Sequence, residues 1–388
     1  MEIEILKQTI KNVSDKQAFE KMLSEKDIQF IPGTVSELFM MEDEEFDFVG
    51  PEENKDRHLA QKPPKIIAVS ELKVFFPLIT TTQGLNSKIK DSGIEPIKIG
   101  RNNYLTSFDV RKLFSKNNII KYEDINLAVA VIATKGGVGK TTSTINIASR
   151  LVQYGFKVCV VDVDAQCNAT QGLGAPDDLD NVLYEVISEE KDCKDIKLDD
   201  VILKVTPNLH LLPSGPSNTL LESYLALRVP RIDVAFQNIT NELKKKYDIV
   251  LFDCSPSLGI TNSGVLLAAD EILIPFTPGS YSYKSVGKTL RWIRDVIDQF
   301  KSDRRKKIKV FINMFEERKM ISKSYLVHSG TEKVLKNFNM STYLPFAEAV
   351  KQQSEEGLSI VETNKNSRIK DGFISLVHEL IGLDGDYK

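Results

Sequence analysis

A chain of 388 residues is too long for one ordinary domain, and a hydrophobic fraction of 41% is ample for more than one core. A formal net charge of -3 excludes a globally basic polyanion binder, so any nucleic-acid surface has to be local. The four cysteines, Cys159, Cys167, Cys193 and Cys254, form neither a C-x-x-C pair nor a Cys/His cluster, which leaves buried or free thiols in a reducing cytosol as the expectation.

The N-terminus, "MEIEILKQTI", is acidic and amphipathic rather than a secretory leader, and no uninterrupted apolar run is long enough to span a bilayer. A cytoplasmic protein without a membrane partner is expected. Residues 1 to about 40 read as helical, with Ile5, Ile10, Phe19 and Met22 as scattered apolar anchors. "MEDEEFDFVGPEENKDRHLAQKPP" follows, acidic and closed by Pro63-Pro64, and reads as a solvated linker. Residues 1–60 are thus an N-terminal helical segment and linker.

Residues 61–124 form the next division. "KIIAVSELKVFFPLITTTQGLNSKIKDSG" predicts two short helices around a turn near Pro77 to Thr80, the second from about Thr81 to Lys90. "IEPIKIGRNNYLTSFDVRKLF" predicts a strand, a tight turn at Arg101-Asn102-Asn103, a second strand and a helix. That order resembles a winged helix-turn-helix. Thr81, Thr82, Gln83 and Asn86 would put hydroxyls and amides where a recognition helix meets base edges. Lys88 and Lys90 follow where it meets phosphates, and Arg101 sits in the wing turn. Small helical domains that never touch DNA carry similar patterns.

From Leu127 the texture changes. "LAVAVIA", "KVCVVDV", "LHLLP", "YDIVLFD", "EILIPF" and "IKVFINM" are near-continuous apolar runs separated by helical stretches. Runs of that kind suit strands buried on both faces, so residues 125–388 are expected to form an α/β domain with a parallel sheet flanked by helices.

The first of these strands leads into "TKGGVGKTT". The pattern G-x-x-x-x-G-K-[ST] is met at its closing Gly139, Lys140 and Thr141, but Thr134 occupies the first glycine's place and a second lysine, Lys135, follows it. Gly136, Gly137, Val138 and Gly139 lie between strand and helix, where backbone N–H groups can close around phosphate oxygens and the helix N-terminus favours negative charge. Lys140 would reach the phosphates, Thr141 would bind Mg²⁺, and Thr142 extends the loop into the helix. Asp253, ending "YDIVLFD", is placed to hold Mg²⁺ through a water. "VCVVDVDAQCNATQGLG" delivers Asp162 and Asp164, one to support the metal shell and one to orient the attacking water, with Gln166 and Asn168 just beyond.

"KGGVGKTT", "VDVDAQCNATQGLG" and "IVLFDCSPSLG" together resemble the deviant-Walker ATPases of the ParA/MinD class. "LLPSGPSNTLLESYLALR" and "AADEILIPFTPGSYSYKSVG" resemble ParA segments too, and the match covers about 127 to 380. A helix-turn-helix ahead of such an ATPase is similar to the larger ParA branch of plasmid and chromosome partition systems, whose members also repress their own operons. The resemblance implies a weak ATPase using ATP and Mg²⁺, a homodimer that sandwiches two ATP molecules, DNA as ligand, a ParB-type centromere-binding partner and a nucleoid-associated location. It makes Lys135 a signature residue that crosses to the partner subunit's phosphates. It aligns Asp164 with the hydrolytic aspartate and Asp162 with its switch neighbour, and it offers Asn313 for the adenine edge and Pro345 for the ring face. Ala165 stands where the family commonly has proline.

Family members bind DNA nonspecifically through basic residues. Lys365, Arg368 and Lys370 in "NKNSRIKDGF" are the first candidates, ahead of Arg304 to Lys307 and of Arg318, Lys319 and Lys323. Three other readings compete. A repressor with an ATPase input needs only the N-terminal unit. A MinD-like positioning ATPase needs a basic amphipathic C-terminus, whereas "ISLVHELIGLDGDYK" is acidic. A nitrogenase-like reductase needs cluster-binding cysteines, which Cys167 and Cys193 do not supply.

Overall fold

The apolar runs after Leu127 become the strands of one sheet. The computed structural model describes residues 62–383 apart from 77, 80, 177–178, 180, 189–195, 230, 303–305, 334, 351–358 and 363–366. The helical segment and acidic linker expected over 1–60 therefore lie outside the described residues, as do Cys193, Arg304, Arg305 and Lys365.

Three strands come first: β1 (Ile66–Ala68), β2 (Ile97–Ile99) and β3 (Asn102–Thr106), joined antiparallel in the order β1-β3-β2. Between β1 and β2 the expected pair of helices takes unequal forms. The second is a regular helix, α1 (Thr82–Asp91), capped by the Thr81 hydroxyl, which accepts from Gly84 N at 3.1 Å. The first, Val69–Phe75, is a 3-10 helix. Its buried residues Val69, Leu72 and Phe75 recur every three positions, and a helix of three residues per turn stacks such a row straight along one face. After β3, α2 (Ser107–Lys116) starts with a capping box between Thr106 and Asp109.

The larger sheet has eight strands. They are β4 (Leu127–Val131), β5 (Val158–Asp162), β6 (Leu203–Thr206), β7 (Leu209–Leu212), β8 (Ile249–Asp253), β9 (Glu271–Phe276), β10 (Lys307–Phe315) and β11 (Asn339–Pro345), in the order β11-β10-β9-β4-β8-β5-β7-β6. All neighbours are parallel except the edge pair β6 and β7. Alternation along each strand divides the core. Val129, Val131, Val160 and Leu251 face the helices α3 (Lys140–Gln153) and α10 (Arg368–Ile381). Ala128, Ala130, Val161 and Phe252 face the other layer. That layer holds α5 (Leu221–Arg228), α6 (Ile232–Lys244), α7 (Ile260–Ala268) and α8 (Ser280–Phe300). Two further helices, α4 (Asn168–Gly172) and α9 (Met320–Thr331), follow β5 and β10. Such two-sided burial produces the continuous apolar strands seen in the sequence.

The N-terminal strands and helices share the first of these cores. Leu72, Phe75, Leu113 and Phe114 cluster with Leu151 of α3 and Leu376 and Val377 of α10. Polar contacts fix the same seam. The Gln153 amide donates to Ile66 O at 2.9 Å, and the Arg111 guanidinium pairs with Asp248 at 2.5 Å while donating to Gly155 O at 2.9 Å. Gly155 has φ +87°, and a Cβ there would lie 2.8 Å from the Arg111 backbone, so this crossing requires glycine. No helix among the described residues is long and apolar enough to cross a membrane.

Candidate active site

The site lies where β4, β5, β8 and β10 end. Beyond β4 the chain turns into α3 through Gly139, the N-cap residue, with φ +85° and ψ 33°. Glycine is needed there twice over. The conformation is left-handed, and a Cβ would sit 2.2 Å from the Asn313 Nδ2. That amide donates to Val138 O at 2.8 Å, while its Oδ1 accepts from Met314 N at 2.8 Å. The structure thus sets Asn313 against the loop backbone, with Pro345 half-buried at the end of the neighbouring β11.

Lys140 opens α3 and is buried, its Nζ 3.4 Å from Lys135 O. Burial pushes this ammonium down from its ordinary value, while the charges of Asp253, Cys254 and Asp164 push it back up. Lys135, Gly136 and Gly137 are exposed on the rim, and Thr141 and Thr142 are half-buried. Thr134, in the missing glycine's place, lies 3.4 Å from both Ser285 O and the Thr289 hydroxyl of α8.

The carboxylates meet because β5 and β8 are neighbours in register, with Asp162 opposite Asp253. The Thr141 hydroxyl donates to Asp253 Oδ2 at 2.6 Å, and the Thr144 hydroxyl to its Oδ1 at 3.2 Å. Asp162 Oδ2 accepts from the backbone N–H and the hydroxyl of Thr170, both at 2.8 Å, and its Oδ1 accepts from Asp164 N at 3.1 Å. Asp164 is buried, and its Oδ1 accepts from Gln166 N at 3.1 Å. Gln166 and Asn168 are exposed. Burial raises Asp162 and Asp253 well above the carboxylate range, and the Asp253 charge raises Asp162 further.

These residues fit a phosphate chain and a divalent ion. The helix N-terminus and Lys140 answer negative charge. Two buried carboxylates beside a hydroxyl answer a cation, which would hold both ionised against the cost of burial. Mg²⁺ needs only one or two protein oxygens beside phosphates and water, so Thr141 and Asp253 are a sufficient share. Sequence reasoning missed Thr144 and Thr170. Thr144 was findable, since it follows Thr141 by three residues on one helix and so shares its face. Nothing local marked Thr170, which reaches Asp162 from α4 across a turn.

The proposed DNA contacts divide. Thr81, Thr82, Gln83, Lys88 and Arg101 are exposed. Asn86 accepts from Asn103 at 3.4 Å, which brings the turn carrying Arg101 beside α1. At the other end Arg368 is exposed and paired with Glu317. Lys370 is a correction. It is 4% exposed and its Nζ lies 3.0 Å from Glu71, so it belongs to the seam between α10 and the N-terminal unit rather than to a DNA surface. Lys306 is likewise occupied, donating to the carbonyls of Leu267 and Ala269 at the end of α7.

Comparison with known proteins agrees with the geometry. A family model described as an AAA domain matches residues 127–309. Over 176 residues the chain is 31% identical to the sporulation initiation inhibitor protein Soj of Bacillus subtilis, covering 45% of this chain and 68% of Soj. It is 27% identical over 260 residues to the chromosome partitioning protein ParA of Myxococcus xanthus, covering 66% of this chain and 88% of that protein. Among solved structures, the ATP complex of McdA from Cyanothece matches with a TM-score of 0.57 at 21% identity, over 66% of this chain and 96% of that one.

Proposed function

The chain belongs to the Soj/ParA family of P-loop ATPases, and from that premise we propose that it is an ATP-driven DNA partition protein whose DNA affinity is switched by dimerisation around ATP and Mg²⁺. The observation that carries the reading is the pair of lysines. Lys140 is buried in its own loop, while Lys135 stands exposed on the rim, free to serve a second subunit's phosphates.

Bound at the loop, ATP with Mg²⁺ supplies the phosphoanhydride to be cleaved. The chain's residues then have separate tasks. The N–H groups of residues 136–141 and Lys140 hold phosphate oxygens. Thr141 offers its hydroxyl to the metal, while Asp253 and Asp162 fix the surrounding shell from neighbouring strands. Asp164 orients a water and can take its proton at a carboxylate oxygen. Asn313 and Pro345 would meet the adenine, with Asn313 also steadying the loop through Val138 O. Lys135 would reach across the dimer, where negative charge otherwise opposes closure.

In this proposal the ATP-loaded dimer holds DNA nonspecifically on the nucleoid through Arg368, with Lys365 as a neighbouring candidate. A ParB-type centromere-binding protein stimulates hydrolysis and release. The N-terminal unit would act as a winged helix-turn-helix on operator DNA, supported by the exposed side chains along α1 and its adjoining turn. A regulator without a partition role rests on that surface alone.

Two variants test the reading. Lys135→Ala should still bind ATP but fail to form the ATP-dependent dimer in light scattering. Asp164→Ala should bind ATP, dimerise and stay on DNA. Wild-type turnover in Asp164→Ala would contradict the assignment of the hydrolytic residue.

A further inference from the structure

Outside the nucleotide site, a groove of about 920 Å³ runs along α8. Its floor is apolar, made by Val286, Leu290, Ile293 and Ile297 of α8 with Leu335 and Phe338 from the segment before β11. A second hollow of about 470 Å³, between the start of α8 and α9, shares Tyr283 and Lys284 with it. The two therefore form one channel along the helix. At its α9 end Met320, Ile321 and Val327 are exposed.

The rim is mainly basic. Lys284, Lys288 and Arg291 fall at i, i+4 and i+7 of α8, a straight stripe beside the apolar floor, and all three are exposed. Among the described residues none of these three has an ion-pair partner. Two acids, Glu332 and Asp298, also line the groove and offset the stripe only in part, Asp298 from the far end of the helix.

We propose that this channel docks an acidic amphipathic helix of a partner protein, its apolar face in the groove and its carboxylates against Lys284, Lys288 and Arg291. An apolar floor of this size needs side chains to fill it, and an amphipathic helix supplies them at i, i+3, i+4 and i+7. A duplex has no such knobs, so the stripe alone would suit DNA but the stripe over the groove suits a helix. The charge then selects the acidic partner and steers its approach. No residue of the phosphate loop lines the groove, although α8 meets Thr134 through Ser285 and Thr289, and the proposal does not depend on the partition reading.

The probe is a fluorescent amphipathic helix of about fifteen residues, with leucines on one face and glutamates flanking them. It is compared with the same helix carrying lysines for the glutamates, and with a labelled nonspecific duplex. All are titrated onto the full chain and onto Lys288→Glu/Arg291→Glu, whose exposed changes leave the core intact. The acidic helix should bind the wild-type chain about tenfold or more tighter than the basic one, and the double variant should reverse that preference. Equal binding of both helices, no binding of the acidic helix, or an unchanged preference in the variant would overturn the proposal. A variant that loses affinity for the duplex but not for the acidic helix would also overturn it, by making the stripe a nucleic-acid surface.

Discussion

Gly139 and Asn313 show how tightly the loop is specified at single positions. A methyl group at Gly139 would be strained by φ +85° and would meet the Asn313 amide at 2.2 Å. Left-handed backbone costs an ordinary residue about 1–2 kcal/mol before any clash is counted. Gly139→Ala is therefore expected to displace the loop and weaken binding of a fluorescent ATP analogue by about tenfold or more; an unchanged dissociation constant would show that the loop tolerates the shift. The glycine was legible in the sequence, because the phosphate-loop pattern fixes its place beside Lys140. The amide that forces it was not. Asn313 lies 174 residues downstream, and only the strand order β10-β9-β4 brings it to the loop. The same limit explains Lys370. A run of basic residues reads as a solvated face, and nothing within "NKNSRIKDGF" reveals that Glu71 waits on the other side.

At the scale of elements, α3 joins the phosphate loop to the N-terminal unit. Lys140 and Thr141 lie at its start, and near its end the fully buried Arg150 pairs with Glu71 at 2.9 Å. Glu71 also takes Lys370 of α10, so one carboxylate serves two buried cations from two helices. Removing it leaves both without that charge. Glu71→Ala should cost about 3 kcal/mol or more in urea unfolding. A loss below about 1 kcal/mol would mean the three charges contribute no more than a surface pair. His378 of α10 belongs to the same seam. It meets the Tyr154 hydroxyl at 2.8 Å, and burial, helped by the Arg150 charge, lowers its pKa to about 4. The folded protein therefore resists a proton that the unfolded chain accepts near pH 6.5. Stability should be full above that value and fall as the pH drops toward 4, by about 2 kcal/mol between pH 7 and pH 5 from this residue alone. The unfolding free energy of His378→Leu should depend less on pH by that amount, and identical pH profiles would contradict the assignment. The strands were legible because two-sided burial writes itself as continuous apolar runs. The 3-10 form of Val69–Phe75 was not, although its three-residue repeat was in view, because a seven-residue row also fits one face of an α-helix.

Over the whole molecule, the sheet brings Lys140, Asp162, Asp164 and Asp253 together from separate strand ends, and the described N-terminal unit sits in the same core as α3 and α10. The catalytic half was readable from motifs because phosphate chemistry demands fixed residue types at fixed spacing. The proposed DNA surface was less so, because binding to a phosphate backbone asks only for exposed positive charge, and exposure is a property of the fold. In the proposed function, ATP switches on DNA affinity through the sandwich dimer. The measurement that meets it most directly is binding to nonspecific duplex DNA with ATP, with ADP and without nucleotide, across a salt series. Tight binding only with ATP, falling steeply as salt rises, is the predicted result. Equal affinity in all three states would contradict it and leave the N-terminal unit as the DNA surface.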